Sequence, residues 1–268
     1  MTIFTETYKV RSTQVNLNNQ LGLYGILGML QDIAAEHAAS LGFGYKDLVK
    51  KGFFWALIQQ KLKMYEWPQW NERVTIHTWS LPVQGVYAFR QFEIYVRDRK
   101  IGESTSTWIT MDIASRKPID MSENQEIFKP RRDGGIAMQT ERVLLPEEMI
   151  HVVDFKVRIS DLDVNSHVNN VKYTQWALDM MCEQDHRQWV IQEYDINFLS
   201  ETFLGDTMQG YKSRGRYLNP EKTLVETYLC AQKEGGAKPA FIAKWKAKSI
   251  LIRKDVRRYS SRSGTCRL

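Results

Sequence analysis

Phe155-Lys156-Val157-Arg158-Ile159-Ser160-Asp161-Leu162-Asp163-Val164-Asn165-Ser166-His167 has an echo 147 residues earlier in the chain. Tyr8-Lys9-Val10-Arg11 opens the earlier copy. At the same spacing Asn16 falls over Asp163, Asn18 over Asn165 and Gln20 over His167. Each copy then enters a run of apolar residues at three- and four-residue steps, the pattern of a helix with one broad buried face. In the first copy these are Leu23, Ile26, Leu27, Leu30, Ile33, Ala34 and Ala38. In the second they are Val168, Val171, Tyr173, Trp176, Ala177, Met180 and Met181. Self-similarity held at a fixed spacing marks a duplicated structural unit.

Strand patterns follow each helix. The first half gives residues 59–65, 73–81, 87–97 and 103–112; the second gives 194–200, 207–217, 224–232 and 240–252. Phe92, Ile94 and Val96 share one face, and Ala243, Trp245 and Ala247 alternate with Lys244, Lys246 and Lys248, the period of half-buried strands. Gln84-Gly85 and Gly235-Gly236 read as turns between them. Trp108 and Trp245 stand 137 residues apart, so the first half carries about ten extra residues, which we assign to 42–56. The fold class this predicts is α+β, each half a long buried helix wrapped by a curved antiparallel sheet. The expected boundaries are 1–130 for an N-terminal domain that supplies scaffold and pocket, and 131–150 for a linker with a short helix near Pro146. A catalytic C-terminal domain over 151–252 and a basic tail over 253–268 complete the division.

With 268 residues, 43% of them hydrophobic and 25% charged, the chain has the composition of an ordinary globular protein. The net charge of +6 is unevenly placed. Residues 253–268 hold six basic side chains against one acidic, which leaves the body near neutral. That Ser- and Arg-rich tail lacks apolar periodicity and reads as solvated and disordered. No aromatic platform accompanies the charge, so nucleic-acid binding is not expected. No apolar run is long enough to span a membrane. The N-terminal residues lack the plan of a signal peptide. The three cysteines, Cys182, Cys230 and Cys266, have no metal-ligand spacing. The expectation is a cytoplasmic protein without a disulfide framework, metal or membrane span.

The segment from Asp161 to Asn170 holds two carboxylates, three carboxamides and an imidazole. These groups can activate water and hold a developing oxyanion. Capping the following helix would use one such residue, not three at alternating positions. The first copy has Asn16, Asn18 and Gln20 instead, without imidazole or carboxylate, so the chemistry is expected in the second half. His37, His77, His151 and His186 have no acid–amide cluster beside them and read as structural or exposed.

Asp161-Leu162-Asp163-Val164-Asn165-Ser166-His167-Val168-Asn169-Asn170-Val171-Lys172-Tyr173 resembles the signature of the acyl-ACP thioesterases, and the similarity extends to about Ile252. The resemblance implies a tandem double hot-dog fold. It also implies hydrolysis of fatty acyl-acyl carrier protein without metal or organic cofactor, a step that ends fatty-acid synthesis. It assigns catalysis to Asp163, Asn165 and His167, and to a Glu that corresponds to Glu201. Thr202 stands where many members have Cys, which argues against a cysteine nucleophile; a surface or packing role is expected for it. Water is then the favoured nucleophile, with Glu201 expected as general base and Asp163 as its rival. Partial burial and the second carboxylate are expected to raise the Glu201 pKa. Asn165 is expected to position thioester or water, and His167 to donate to the carbonyl oxygen or leaving thiolate. The N–H groups of Val168 and Asn169 are expected to complete the oxyanion site. Direct attack by Asp163 stays open.

An acyl chain needs an apolar tunnel. Gly22, Gly25, Gly28, Ala34, Ala35 and Ala38 either leave room for one along the first helix, closed by Met29 and Leu30, or simply permit close packing. An acidic carrier protein calls for basic residues at the mouth, with Lys172, Lys212, Arg214, Arg216 and the 129–132 cluster as candidates. Monomer and homodimer are both compatible with the sequence. Two other readings are an acyl-CoA thioesterase on the same fold and a non-catalytic acyl-binding protein.

Overall fold

A computed structural model describes residues 3–128, 131 and 134–250. The tail at 253–268 and most of the 129–132 cluster lie outside the described residues. The chain divides into two compact units between Arg142 and Val143.

In the first unit β1 (Phe4–Lys9) leads through a turn into α1 (Leu23–Ser40) and the short α2 (Tyr45–Lys50). Then come β2 (Phe53–Met64), β3 (Arg73–Gln84), β4 (Tyr87–Val96), β5 (Arg99–Asp112) and the two-residue β6 (Pro118–Ile119). The strands lie in the order β1-β3-β4-β5-β2, all antiparallel. α1 turns Ile26, Leu27, Leu30 and Ile33 onto the core, where Val74, Ile76, Phe92 and Ile94 are also buried. Near the end of α1, His37 is buried and its Nδ1 lies 2.7 Å from the Arg90 guanidinium on β4. Desolvation lowers the Arg90 pKa to about 10. That value still leaves it charged at neutral pH.

The second unit repeats the plan. β7 (Ile150–Lys156) leads into α3 (Asn170–Asp179) and α4 (Glu183–Gln188). β8 (Trp189–Phe198), β9 (Thr207–Lys212), β10 (Arg216–Tyr217), β11 (Leu224–Lys233) and β12 (Pro239–Ser249) follow. The order β7-β9-β11-β12-β8 matches the first sheet strand for strand, and β10 pairs with β11. Tyr173, Thr174, Trp176 and Ala177 form the buried stripe of α3. Trp176 packs on Phe155, Tyr173 on Phe198 and Phe241, and the Thr174 hydroxyl meets Tyr194. Each unit is thus the hot-dog arrangement of a helix on a curved antiparallel sheet. No described helix is long and apolar enough to cross a membrane.

Three expectations need correction. The extra length of the first half is chiefly helix, not an insertion at 42–56: α1 has 18 residues against ten in α3. Phe53 to Ala56 already belong to β2. No helix forms near Pro146. The end of the first unit, read as part of a linker, is a strap across the outer face of that unit's sheet. Gln91 holds it, its amide donating to the Ile136 carbonyl (2.7 Å) and its Oε1 accepting from Ile136 N (3.1 Å) and Trp79 Nε1 (3.2 Å). Arg131 stacks over Trp79 and pairs with Glu93 at 2.6 Å, and Thr140 meets Thr107. Gly135 has φ +72°, and any Cβ there would collide with Gln91 Oε1 and Trp79 Nε1, so only glycine lets the strap lie so close.

Gln91→Leu keeps the volume but strands the buried Trp79 N–H and both strap groups. It is expected to cost about 2–3 kcal/mol in urea unfolding and to make residues 134–142 cleavable by protease. Wild-type stability in that variant would mean that packing alone seats the strap.

Candidate active site

The turn before α3 is built around one oxygen. Asp163 Oδ1 accepts from Asn165 N at 2.8 Å and from His167 N at 3.4 Å. Asp163 N donates to His167 O, and Ser166 N to Asp163 O. Ser166 takes the left-handed conformation (φ 62°) that closes the turn. Asn169 caps α3 by accepting from Val171 N at 2.9 Å, and Asp161 Oδ2 accepts from Arg158 N.

The first unit has the same turn, bond for bond. Asn16 Oδ1 accepts from Asn18 N and Gln20 N, Asn16 N donates to Gln20 O, Asn19 N donates to Asn16 O, and Asn19 has φ 59°. The match continues in the loop that faces it. Leu21 N donates to Pro68 O in the first unit as Val168 N donates to Thr202 O in the second. Val10 N reaches Glu72 O as Val157 N reaches Asp206 O, and Asn71 and Gly205 both have positive φ. The correspondence there runs at a spacing of 134, not 147, so Trp67 stands for Glu201 and Pro68 for Thr202. Asn71-Glu72 against Gly205-Asp206 is the sequence signal for this further register, which neither the spacing of 147 nor that of 137 brings into line.

The two loops bring His167 and Glu201 together, His167 Nδ1 lying 3.4 Å from Glu201 Oε1. His167 is mostly buried, at 18% side-chain exposure, with Phe203 edge-on to its ring at 5.3 Å; Glu201 is 43% exposed. The burial expected of Glu201 is therefore slight. Asp163 reaches the cluster through the backbone of His167, and the Asn165 carboxamide has no hydrogen-bond partner among the described residues.

Two expectations change here, and a third narrows. The N–H groups of Val168 and Asn169 are not available for an oxyanion: they donate to Thr202 O and Asp161 O. Of the two roles expected for Thr202, surface or packing, burial leaves the second: it is wholly buried, its hydroxyl 2.8 Å from the Tyr173 phenol, which leaves it unsuited to attack a substrate. Most proposed docking cations already have carboxylate partners. Lys212 meets Asp185, Arg216 meets Glu226, Arg131 meets Glu93, and Lys172 lies 3.9 Å from Asp161. Burial pushes the Cys230 thiol up to about 11, so it too is no nucleophile at neutral pH. No cluster of three or more His, Cys, Asp or Glu among the described residues could hold a metal ion.

Along α1, Cβ atoms at Gly22 and Gly25 would meet Tyr24, Leu21 and the Gln14 carbonyl, Gly28 faces open space and Ala35 is exposed. Close packing explains the first two glycines. A cavity of about 320 Å³ lies in the second unit beyond the C-terminal end of α3, with Met181, Trp189, Val225 and Trp245 among its walls.

The chain is thus a pair of hot-dog units, of which the second alone carries an acid–amide–imidazole cluster, and comparison with known proteins gives its family. The model of the acyl-ACP thioesterase N-terminal domain matches residues 1–129, and that of the C-terminal domain matches residues 146–247. The chain belongs to the acyl-ACP thioesterase family. The oleoyl-acyl carrier protein thioesterase of Coriandrum sativum is 26% identical over 203 residues, which cover 66% of this chain and 53% of that protein. The dodecanoyl-[acyl-carrier-protein] hydrolase of Cinnamomum camphora is 25% identical over 224 residues, 77% of this chain and 58% of the relative. The chain thus spans little more than half the length of these curated relatives. An acyl-ACP thioesterase structure from Bacteroides thetaiotaomicron superposes with TM-score 0.80 at 21% identity, covering 92% of this chain and 98% of that one. The 12:0-ACP thioesterase from Umbellularia californica gives 0.76 at 18% identity, with 92% and 94% covered. These structures share the double hot-dog fold.

Because Asn16 builds the same turn without charge, Asp163→Asn is expected to unfold within about 0.5 kcal/mol of wild type. Asp163→Ala, which deletes the acceptor of two N–H groups, is expected to lose about 1–2 kcal/mol. Denaturant titration compares them. An Asn variant as unstable as the Ala variant would mean that charge holds the turn.

Proposed function

We propose that the protein hydrolyses the thioester of fatty acyl-acyl carrier protein and releases free fatty acid, with water activated by a carboxylate. Family membership supports the substrate class. The His167–Glu201 contact carries the mechanism, because the otherwise matching loops of the first unit hold Gln20 and Trp67 at those places.

In this reading Glu201 removes a proton from water as the oxygen adds to the thioester carbonyl carbon. Negative charge builds on the carbonyl oxygen. The Asn165 amide and the far nitrogen of His167 donate to it, in place of the backbone groups that are already engaged. Collapse breaks the C–S bond, and the thiolate takes up the proton first held by Glu201, relayed by His167. Asp163 orients this machinery by fixing the backbone of Asn165 and His167, a role that favours orienter over base or nucleophile. The carrier protein would present its acyl-phosphopantetheine arm to this face, and Lys172 is the cation nearest the cluster in sequence. A cytoplasmic setting belongs to the same reading.

Purified protein incubated with acyl-ACP and acyl-CoA of several chain lengths is expected to release thiol faster from acyl-ACP. Preference for acyl-CoA would reassign the substrate, and no release from either would leave an acyl-binding protein. His167→Ala and Glu201→Ala are each expected to lower kcat at least about a hundredfold. Glu201→Gln is expected to be as damaging as the Ala variant, since it removes the base. Substantial activity in Glu201→Gln would instead make Glu201 the orienter of a His167 base, the second reading that the 3.4 Å contact allows.

A further inference from the structure

Tyr173 and Thr202 are buried hydroxyl side chains, 3% and 0% exposed, that the reaction above does not use. The Tyr173 phenol oxygen lies 2.8 Å from Thr202 Oγ1 and 3.4 Å from the Ser200 carbonyl. One assignment satisfies both contacts: the Thr202 hydroxyl donates to the phenol, and the phenol donates to Ser200 O. A single side chain from the first turn of α3 therefore grips the chain on both sides of Glu201. Six residues before Tyr173 is His167.

The main chain does not need this grip. Val168 N donates to Thr202 O, and in the first unit Leu21 N donates to Pro68 O in the same way. The first-unit counterparts of Tyr173 and Thr202 are Ile26 and Pro68, neither with a hydroxyl. Loops of the same shape are thus held by backbone bonds over apolar side chains. The hydroxyl pair occurs in the unit that has His167 and Glu201, not in the one that has Gln20 and Trp67. Burying two hydroxyls for packing alone would be uneconomical, because each must first lose its water. What a hydrogen bond adds over Ile and Pro is direction. Glu201 has 43% of its side chain in solvent, so its backbone must be fixed from below if the carboxylate is to hold one distance to the imidazole.

We propose that Tyr173 and Thr202 form a positioning pair that sets Glu201 against His167 for the acid–base steps. The inference rests on the hydrolase reading above. Burial supports it further by raising the Tyr173 pKa to about 12, which keeps the phenol protonated and the link intact across the working range.

The test uses the full chain with Tyr173→Phe, Thr202→Val, Thr202→Ser and the Phe/Val double variant. With acyl-ACP, Tyr173→Phe and Thr202→Val are each expected to lower kcat about tenfold at a KM within about twofold of wild type. Thr202→Ser, which restores the hydroxyl, is expected to recover most of the loss, and the double variant to be no worse than either single one. The 15N resonances of the His167 ring, followed by NMR across pH, give a readout independent of turnover. Their titration midpoint is expected to move in Thr202→Val and to return in Thr202→Ser. Wild-type kcat together with an unmoved His167 titration in Tyr173→Phe and Thr202→Val would overturn the proposal. So would losses that follow the melting temperature and are not recovered by Thr202→Ser. If wild-type protein releases no thiol, the hydrolase reading fails, while the NMR arm still decides whether the pair sets the Glu201–His167 contact.

Discussion

One acceptor oxygen organises each unit. In the second it is Asp163 Oδ1, which takes the N–H groups of Asn165 and His167, and in the first it is Asn16 Oδ1, which takes those of Asn18 and Gln20. The arrangement reverses the chain in five residues and aims the last of them at the facing loop. It also delivers the chain to the N-cap of the core helix, at Asn169 or Gly22. That a carboxylate and a carboxamide do the same job shows that the turn depends on an acceptor and its geometry, with charge free to serve another purpose.

The duplication separates scaffold from chemistry in a way a single domain would not. Between the two site regions the main-chain hydrogen bonds and the positive-φ positions are held in common, while the side chains that project from them diverge: Gln20 against His167, Trp67 against Glu201. Trp67 is buried where Glu201 is half in solvent. The first unit has therefore closed, with apolar packing, the position that in the second keeps a carboxylate next to an imidazole. Residues common to both turns are best understood through folding, and residues confined to the second through the proposed reaction.

How far the sequence reveals this depends on the range of each interaction. Core helices and most strands announce themselves by periodicity, because burial acts on every third, fourth or second residue. The 147-residue spacing exposes the turn because no length change falls inside it. The facing loop escaped because the eight extra residues of α1 move the register before Trp67 is reached. Phe53 to Ala56 read as insertion for the same reason. The proximity of Glu201 to His167 has no local signature and entered only through the family resemblance. Interactions between distant polar groups were least legible. Nothing in the sequence says that the N–H of Val168 is engaged by Thr202 O, or that Arg216 has Glu226 as its partner.

Those polar commitments narrow the chemistry that the site can perform. With the N–H groups of Val168 and Asn169 engaged, stabilisation of an oxyanion in the proposed reaction would fall to side chains, the Asn165 amide and the His167 ring. Side-chain donors are less rigid than backbone ones, so their worth depends on how firmly the turn is held. The same oxygen of Asp163 that folds the turn fixes the backbone of both donors. On this view Asp163 need not touch the substrate to be indispensable.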